Sequence, residues 1–365
     1  MSHKKTVAIT SVRNEEDIIE SFVRFSLKIF DHLIINENFS LDSTPEILRK
    51  LVEEGLNLEF ITDNRSVFPQ EKRTNELLDF AMRQYQPDWV FPLDGDEFLF
   101  RRDKGKIQDA IKDLDPGIIN LFGWDTYVIT GKEKESLFIP EKFEYRRKEE
   151  KVYYKTCISK ELYNKGARLA LGSHDINFPS EIVLKKSVST SLRIAHYPVR
   201  SAEQLMNKII IGVLNKLANY SRNSVINYHQ TRIFDVIAKD GYIQDSALKE
   251  FSLTYAGEDP VNNPLENMSL LKAPIDLFNI DNSEMNYTKP LDEGQVLSIA
   301  IETAAGIIEN LRVQKEKLQD VEKDYINIRQ ELKQKDEKIL EITNSRGWKL
   351  LENLRHVMKE IGIKS

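Results

Sequence analysis

The sequence WVFPLDGDE at residues 89–97 places an apolar, strand-like run directly before three carboxylates. Ionised carboxylates are costly to bury and repel one another, so a protein keeps such a cluster mainly where a cation or another partner neutralises it. Asp94 and Asp96 can both turn towards one hard cation, and Gly95 leaves room for a phosphate oxygen to approach. Taken alone, the pattern also fits an acidic turn after a strand, so the surrounding sequence has to decide.

Strand-like and helical patterns alternate through residues 4–100. Apolar spacing predicts helices at 18–30, 43–52 and 70–85, between strands at Thr6–Thr10, His32–Ile35, Leu56–Ile61 and Trp89–Leu93. Strands separated by helices of this length predict βαβ units and an α/β fold, with a mostly parallel Rossmann-type sheet flanked by helices.

A polar cluster follows each of the four predicted strands. In open α/β sheets, ligands bind beyond the carboxyl ends of the strands, so these clusters should line one crevice. The four clusters are Arg13-Asn14-Glu15, Asn36-Glu37-Asn38, Thr62-Asp63-Asn64 and Asp94-Gly95-Asp96. Four clusters at corresponding positions indicate a binding site rather than an isolated turn.

The chain after residue 100 changes character several times. Further strands are predicted at Ile118–Phe122, Val152–Ser159 and Val188–Ala195, and residues 202–250 have helical spacing. Residues 256–295, rich in Asn and Pro, favour an irregular linker. We predict a first domain at residues 1–215, a helical and irregular extension at 216–300, a coiled coil at 301–344 and a short amphipathic basic tail at 345–365.

The coiled coil is predicted from a heptad seam with alternating steps of four and three residues. The seam comprises Ile307, Leu311, Gln314, Leu318, Val321, Tyr325, Ile328, Leu332, Lys335, Ile339 and Ile342. Such a seam predicts a homo-oligomer, although a single long helix folded back on the core is the alternative. The tail that follows could contact a membrane surface or pack on a partner.

Composition excludes several classes of protein. The net charge of −6 argues against a nucleic-acid binder with a broad basic face. No apolar run approaches the roughly 18 residues of a spanning helix. A single cysteine, Cys157, rules out an intrachain disulfide and fits a reducing cytosol. We therefore expect a cytoplasmic protein, with peripheral contact to the inner face of the cell membrane as an open possibility.

Three segments, in their order along the chain, resemble motifs of the family 2-type glycosyltransferases. They are most similar to a bacterial branch of that family with a D-G-D-E-F motif. They are Ser11-Val12-Arg13-Asn14-Glu15-Glu16, Asn38-Phe39-Ser40-Leu41-Asp42-Ser43-Thr44 and Asp94-Gly95-Asp96-Glu97-Phe98. The resemblance covers residues 5–215 and implies a GT-A fold, a nucleotide-sugar donor, Mn²⁺ or Mg²⁺ and inversion at the anomeric carbon. One departure is Glu37, which stands where family members usually carry Asp.

The resemblance implies a role for each polar cluster. Asp96 would be the direct metal ligand, with Asp94 contacting ribose or metal-bound water, and a late histidine would complete the coordination. His196 is the first candidate for that histidine and His174 the second. The donor would contact Val12, Asn14, Glu15, Glu37, Asp63, Gln70, Arg73, Asp94, Gly95, Arg200 and Lys208.

An inverting transfer also needs a general base that takes the proton from the acceptor hydroxyl. Asp125 follows a predicted strand at a suitable distance from the metal motif, and Asp175 is the competing candidate. Either residue could instead cap a turn.

The sequence therefore predicts a metal-dependent inverting glycosyltransferase. We expect a UDP-sugar donor and a glycan or lipid-linked acceptor, with bacterial surface glycan as the product. A sugar-phosphate nucleotidyltransferase is one alternative, but residues 10–17 lack the Gly-rich phosphate loop that opens such enzymes. A non-catalytic coiled-coil scaffold with a vestigial nucleotide site is the other.

Overall fold

The computed structural model describes residues 3–63, 65, 70–148, 153–179, 184–218, 228–255, 269–345 and 348. The chain forms two compact units, Met1–Thr303 and Ala304–Ser365. The prediction for the tail at 345–365 falls almost wholly outside the described residues.

The strands lie at β1 (Thr6–Val12), β2 (His32–Glu37), β3 (Leu58–Thr62), β4 (Trp89–Pro92), β5 (Glu97–Arg101), β6 (Ile119–Thr126), β7 (Tyr145–Arg147), β8 (Tyr154–Ser159), β9 (Arg168–Leu169), β10 (Ile176–Asn177), β11 (Lys186–His196) and β12 (Leu270–Lys272). The helices lie at α1 (Ile19–Ser26), α2 (Thr44–Glu53), α3 (Gln70–Tyr85), α4 (Ile107–Lys112), α5 (Ile139–Lys142), α6 (Lys160–Asn164), α7 (Ala202–Ala218), α8 (Tyr228–Asp240), α9 (Asp245–Thr254) and α10 (Glu293–Asn344). Short 3₁₀ turns occupy Leu171–Ser173 and Asn282–Glu284.

The main sheet of the described residues has the strand order β3-β2-β1-β4-β8-β6-β11-β5. Strands β1 to β4 are mutually parallel, β8 is antiparallel to β4 and β6, and β11 is parallel to β6 but antiparallel to β5. Only β8 and β5 therefore run against the others. The predicted α/β class with a mostly parallel sheet flanked by helices is confirmed.

Apolar helix faces cover both sides of the sheet. Phe22 and Phe25 of α1 are fully buried, and both rings meet Phe98 of β5 edge to face. On the other side, Leu77 and Leu78 of α3 join the core cluster that contains Val7 of β1. With both faces occupied by helices, the edge at which the strands end remains the place for polar residues.

Several predicted elements match closely and others differ. Helix α3 has the predicted bounds. Strand β5 was not predicted, because its sequence was interpreted only as part of the acidic motif. Asp125, expected after a strand, lies within β6, which continues to Thr126.

The segment expected to be an irregular linker is partly held against the first unit. The buried carboxylate of Glu20 accepts backbone N–H groups from Asn286, Tyr287 and Thr288 at 2.8–3.0 Å. Strand β12 also pairs with β7. Backbone hydrogen bonds thus tie residues 269–288 to α1 and β7.

Within the second unit, α10 is a continuous helix through the predicted seam. Apolar seam side chains remain exposed there, from 46% at Leu311 to 64% at Tyr325. No helix of the described residues combines the length and the apolar character needed to cross a membrane.

Candidate functional site

The carboxyl ends of β1 and β4 and the start of α3 enclose a small cavity at the predicted edge of the sheet. Its lining includes Thr10, Ser11, Gln70, Thr74, Asp94 and Ser173. The fold therefore brings the first and fourth polar clusters together, since β1 and β4 are adjacent parallel strands.

Asp96 is a buried carboxylate of this edge. Lys208 of α7 donates to its Oδ2 over 2.8 Å, and His196 Nε2 lies 3.8 Å from the same oxygen. Burial acts to raise the pKa of Asp96, but the charges of Lys208, His196 and Arg200 together outweigh burial and keep this pKa well below its ordinary range. Asp96 is thus an ionised carboxylate shared by a cation and an imidazole.

Asp94 has a different partner. Lys155 of β8 donates from Nζ to Asp94 Oδ2 over 2.9 Å and lies 3.1 Å from Glu97 Oε2. Lys155 and Glu97 are buried, whereas 46% of the Asp94 side chain is exposed. Glu97 also accepts the backbone N–H of Asp94. It therefore orients the loop, and the exposed Asp94 can still meet a ligand.

His196 ends β11 beside the acidic motif, because β11 pairs with β5 in the register His196↔Glu97. Its ring packs on Trp124 with centroids 4.5 Å apart, and Trp124 in turn meets His174 edge to face. Burial lowers the pKa of His196 to about 4, so its ring is neutral at physiological pH. A neutral imidazole is the form that binds a metal.

His174 also contacts Trp124, edge to face, with ring centroids 5.6 Å apart. Its Nδ1 is 2.7 Å from the carbonyl oxygen of Tyr154, and its side chain is exposed. The structure brings His196 to Asp96 but gives His174 no contact with either aspartate. Of the two histidine candidates, only His196 lies against the acidic motif.

A buried ion cluster joins the β1–α1 loop to the chain after β11. Arg200 donates to Glu15 and Asp17 over 2.6 Å each. Burial is the main effect that raises the pKa of Glu15, to about 7. The predicted donor residues Glu15, Arg200 and Lys208 therefore surround Asp96, although Arg200 and Lys208 are paired with carboxylates rather than with a ligand.

Charged residues also lie at the ends of β2 and β3. Asp63 accepts hydrogen bonds from Arg65 Nη2 over 2.8 Å and from Arg73 Nε over 2.9 Å. The hydrogen bonds from Arg65 are the main reason that the pKa of Asp63 lies well below its ordinary range, although burial acts in the opposite direction. Glu37 accepts the backbone N–H of Ser40 over 2.5 Å. Gln70 is exposed as the first residue of α3.

Loop contacts fix the end of β1. Asn14 has a φ of 55° and its Oδ1 accepts the backbone N–H of Leu41 over 2.7 Å. A Cβ at Gly95 would lie 3.2 Å from Val12 Cγ1, so the glycine lets the acidic loop approach β1. This packing accounts for Gly95 without a ligand.

The two base candidates lie in different places. Asp125 is buried and bound by arginines, and it pairs in register with Ala195, whereas Thr126 pairs with His196. Side chains alternate between faces along a strand, so Asp125 and His196 face opposite sides of the sheet. Asp175 follows His174 and forms an ion pair with Lys186.

A divalent cation would find a partial site here. Within the described residues, no group of three or more His, Cys, Asp or Glu side chains is placed to hold a metal ion. Asp96 and His196 nevertheless supply one ionised carboxylate and one neutral imidazole, whose buried Nδ1 has no hydrogen-bond partner among the described residues. Such a donor pair fits Mn²⁺ or Mg²⁺ if the ligand supplies further oxygens.

Sequence reasoning missed Lys155 and Asp17. Lys155 stands in an apolar strand without any motif, and its role depends on the pairing of β8 with β4. Asp17 follows the predicted cluster at the end of β1, but its partner Arg200 is far away in the sequence.

No protein family model matches the sequence, and no curated protein matches it. Among solved structures, the chain is similar to S. aureus TarS 1–349, with 15% identity, a TM-score of 0.32, and coverage of 72% of this chain and 76% of that chain. It is also similar to the mannosyltransferase PcManGT from Pyrobaculum calidifontis in complex with GDP-Man and Mn²⁺, with 12% identity, a TM-score of 0.35, and coverage of 72% and 78%. A third is glucosyl-3-phosphoglycerate synthase from Mycobacterium tuberculosis in complex with Mn²⁺, UDP and phosphoglyceric acid, with 14% identity, a TM-score of 0.29, and coverage of 76% and 89%.

Proposed function

We propose that this chain is a metal-dependent, inverting glycosyltransferase of the GT-A type. It moves a sugar from a nucleotide-sugar, with a UDP-sugar favoured, to a hydroxyl of a bacterial surface glycan or lipid-linked acceptor. The observation that carries the proposal is the buried Asp96 carboxylate, which lies against His196 and Lys208 at the end of the sheet. An enclosed carboxylate with a neutral imidazole and a lysine suits a site for a cation and a diphosphate.

Asp96 and His196 are the residues that would hold Mn²⁺ or Mg²⁺. When bound, such a cation stabilises the negative charge that develops on a diphosphate leaving group. Asp94, whose carboxylate is partly exposed beside the cavity, would accept hydrogen bonds from ribose hydroxyls or from a water molecule.

Lys208 and Arg200 are the proposed partners of the diphosphate oxygens. Both are held next to Asp96 by carboxylates, so an incoming diphosphate would exchange one anionic partner for another. The nucleoside would then lie towards the ends of β1 to β3, and its proposed contacts are Val12, Asn14, Glu37, Asp63, Gln70 and Arg73.

Asp175 is favoured over Asp125 as the general base. It follows His174, whose ring meets Trp124, and Trp124 packs on His196. The neighbour of Asp175, His174, therefore contacts the same tryptophan as His196, whereas Asp125 faces the other side of the sheet. Release of Asp175 from Lys186 would leave a carboxylate that can accept the proton of an acceptor hydroxyl.

Self-association through α10 is the remaining part of the proposal. Exposed apolar side chains follow the heptad seam over residues 311–342, and a single helix leaves them in contact with water. Pairing with the same helix of a second copy would bury the seam, with Gln314 and Lys335 fixing register.

A product assay tests the proposed reaction. The full chain is incubated with Mn²⁺ and a panel of UDP-, GDP- and CDP-sugars, and nucleotides and phosphates are separated. Slow release of a nucleoside diphosphate, abolished in Asp96→Asn, supports a glycosyltransferase. Formation of nucleotide-sugar from sugar phosphate and nucleoside triphosphate, with release of pyrophosphate, would identify a nucleotidyltransferase instead.

A further inference from the structure

Asp125 lies at the centre of three arginines on the face of the sheet opposite His196. Arg102 Nη2 contacts both carboxylate oxygens over 2.8 Å, and Arg193 Nη2 donates to Oδ1 over 2.6 Å. Arg146 Nη1 lies 3.6 Å from Oδ1. These four residues are termed the Asp125 arginine cluster.

The charges of this cluster do not balance. Three guanidinium groups and one carboxylate leave two positive charges, and among the described residues no second carboxylate forms an ion pair with these arginines. The side chains of Arg146 and Arg193 are only 13% and 11% exposed. Unbalanced charge in a largely buried place is unfavourable unless a ligand supplies the counter-charge.

Hydrogen-bonding capacity is also left over. Arg193 Nε is buried and has no hydrogen-bond partner among the described residues. A buried N–H group without an acceptor costs free energy, so an unpaired guanidinium nitrogen indicates a missing acceptor.

The cluster can be reached from solvent. The Arg102 side chain is 45% exposed, while the central Asp125 is 1% exposed. An anion could therefore approach over Arg102 without any rearrangement of Asp125. The Asp125 arginine cluster lies on the face of the sheet opposite His196, so it is separate from the proposed donor site.

We propose that the Asp125 arginine cluster binds a phosphate dianion. Two uncompensated positive charges match the two negative charges of a phosphate, whereas a carboxylate would balance only one. Guanidinium groups present paired N–H donors that fit phosphate oxygens, and Asp125 keeps the arginines in position. The phosphate is either the free anion or a phosphate group carried by a sugar.

Isothermal titration calorimetry measures the affinity of the metal-free full chain for inorganic phosphate, glucose 6-phosphate and glucose, and so tests this assignment. Arg102→Gln removes the exposed guanidinium, while Arg193 and Arg146 remain beside the buried Asp125. Arg168→Gln is the matched control, because Arg168 is 42% exposed and pairs with a single aspartate. Lys208→Gln reports binding at the proposed donor site instead.

We expect inorganic phosphate, glucose 6-phosphate or both to bind the wild type. Arg102→Gln should weaken that binding about tenfold or more. Arg168→Gln and Lys208→Gln should change it less than about twofold, and glucose should not bind. Tighter binding of glucose 6-phosphate than of inorganic phosphate would assign the phosphate to a sugar, and equal binding would assign it to the free anion. Absence of phosphate binding, unchanged affinity in a folded Arg102→Gln variant, or loss of binding in Lys208→Gln alone would overturn the proposal.

Discussion

Lys208 Nζ donates to Asp96 Oδ2 over 2.8 Å, so a lysine holds the carboxylate that would otherwise face a divalent cation. Burial acts to lower the pKa of Lys208, but Asp96 and neighbouring acids outweigh it and keep the amine protonated. A cation that approaches Asp96 therefore competes with an ammonium group. This competition predicts that Lys208 leaves Asp96 and contacts the diphosphate oxygens when a diphosphate binds.

Replacement of this lysine should affect the metal and the nucleotide in opposite directions. Without nucleotide, Lys208→Met should bind Mn²⁺ about tenfold more tightly, equivalent to ~1.4 kcal/mol, because the competing positive charge is gone. With Mn²⁺ present, its affinity for a nucleoside diphosphate should fall, because the diphosphate loses a cationic partner.

Titration calorimetry measures both affinities, and Lys216→Met is a control on the same helix. Weaker Mn²⁺ binding by Lys208→Met in the absence of nucleotide would contradict this account of Lys208.

Lys155 should be a stability residue as well as a site residue. Lys155→Met removes the buried cation that both Asp94 and Glu97 contact. Breaking such a buried interaction costs up to about 3–5 kcal/mol in unfolding free energy. Chemical denaturation at neutral pH should show this loss, whereas Lys160→Met, at an exposed position of α6, should change stability by less than about 0.5 kcal/mol. Equal stability of the two variants would contradict the assigned role of Lys155.

A stability prediction also follows from Asp42 in the β2–α2 loop. Asp42 accepts backbone N–H groups from Glu16 and Thr44, and burial raises its pKa to about 6. The ordinary value of about 3.9 applies to the unfolded chain. Between these two values the native state binds more protons than the unfolded state, so the contribution of Asp42 to stability falls as pH rises through about 6.

Denaturation of the wild type and of Asp42→Asn from pH 4 to pH 7 measures this contribution. The difference in unfolding free energy between wild type and variant should shift against the wild type as pH rises. A pH-independent difference would mean that the pKa of Asp42 is not raised in the folded protein.

The seam of α10 should control self-association. Leu332, within the seam, is 56% exposed, and Leu340, outside it, is 65% exposed. Leu332→Asn should weaken the oligomer, because an asparagine in the seam costs apolar burial. Leu340→Asn should leave the oligomer intact. Analytical ultracentrifugation distinguishes the two, and a wild-type monomer at all concentrations would contradict the predicted coiled coil.

Local sequence patterns predicted the parts of the fold that depend on neighbouring residues. Helix α3 was found with its bounds because apolar spacing and flanking residues mark both ends. Strand β5 was missed because it begins inside the acidic motif, at Glu97. Its position at the sheet edge depends on pairing with β11, which no local pattern specifies.

The same distinction separates the site residues. Asp94 and Asp96 could be found because their chemistry is concentrated in one short motif. Lys155 and Arg200 could not be assigned their carboxylate partners, because those contacts depend on strand order and on the path of the chain after β11. Asp125 was expected after a strand but lies within β6, and the face of the sheet on which it lies depends on the register of β6 with β11.

The most direct test of the central claim is calorimetric titration with UDP, GDP and CDP, in Mn²⁺ and in EDTA, of the wild type and of Asp96→Asn. The account predicts that at least one nucleoside diphosphate binds the wild type at least about tenfold more tightly with Mn²⁺, and that Asp96→Asn, while remaining folded, loses this metal-dependent gain. Absence of nucleotide binding in any condition, or an undiminished gain from Mn²⁺ in Asp96→Asn, would contradict it.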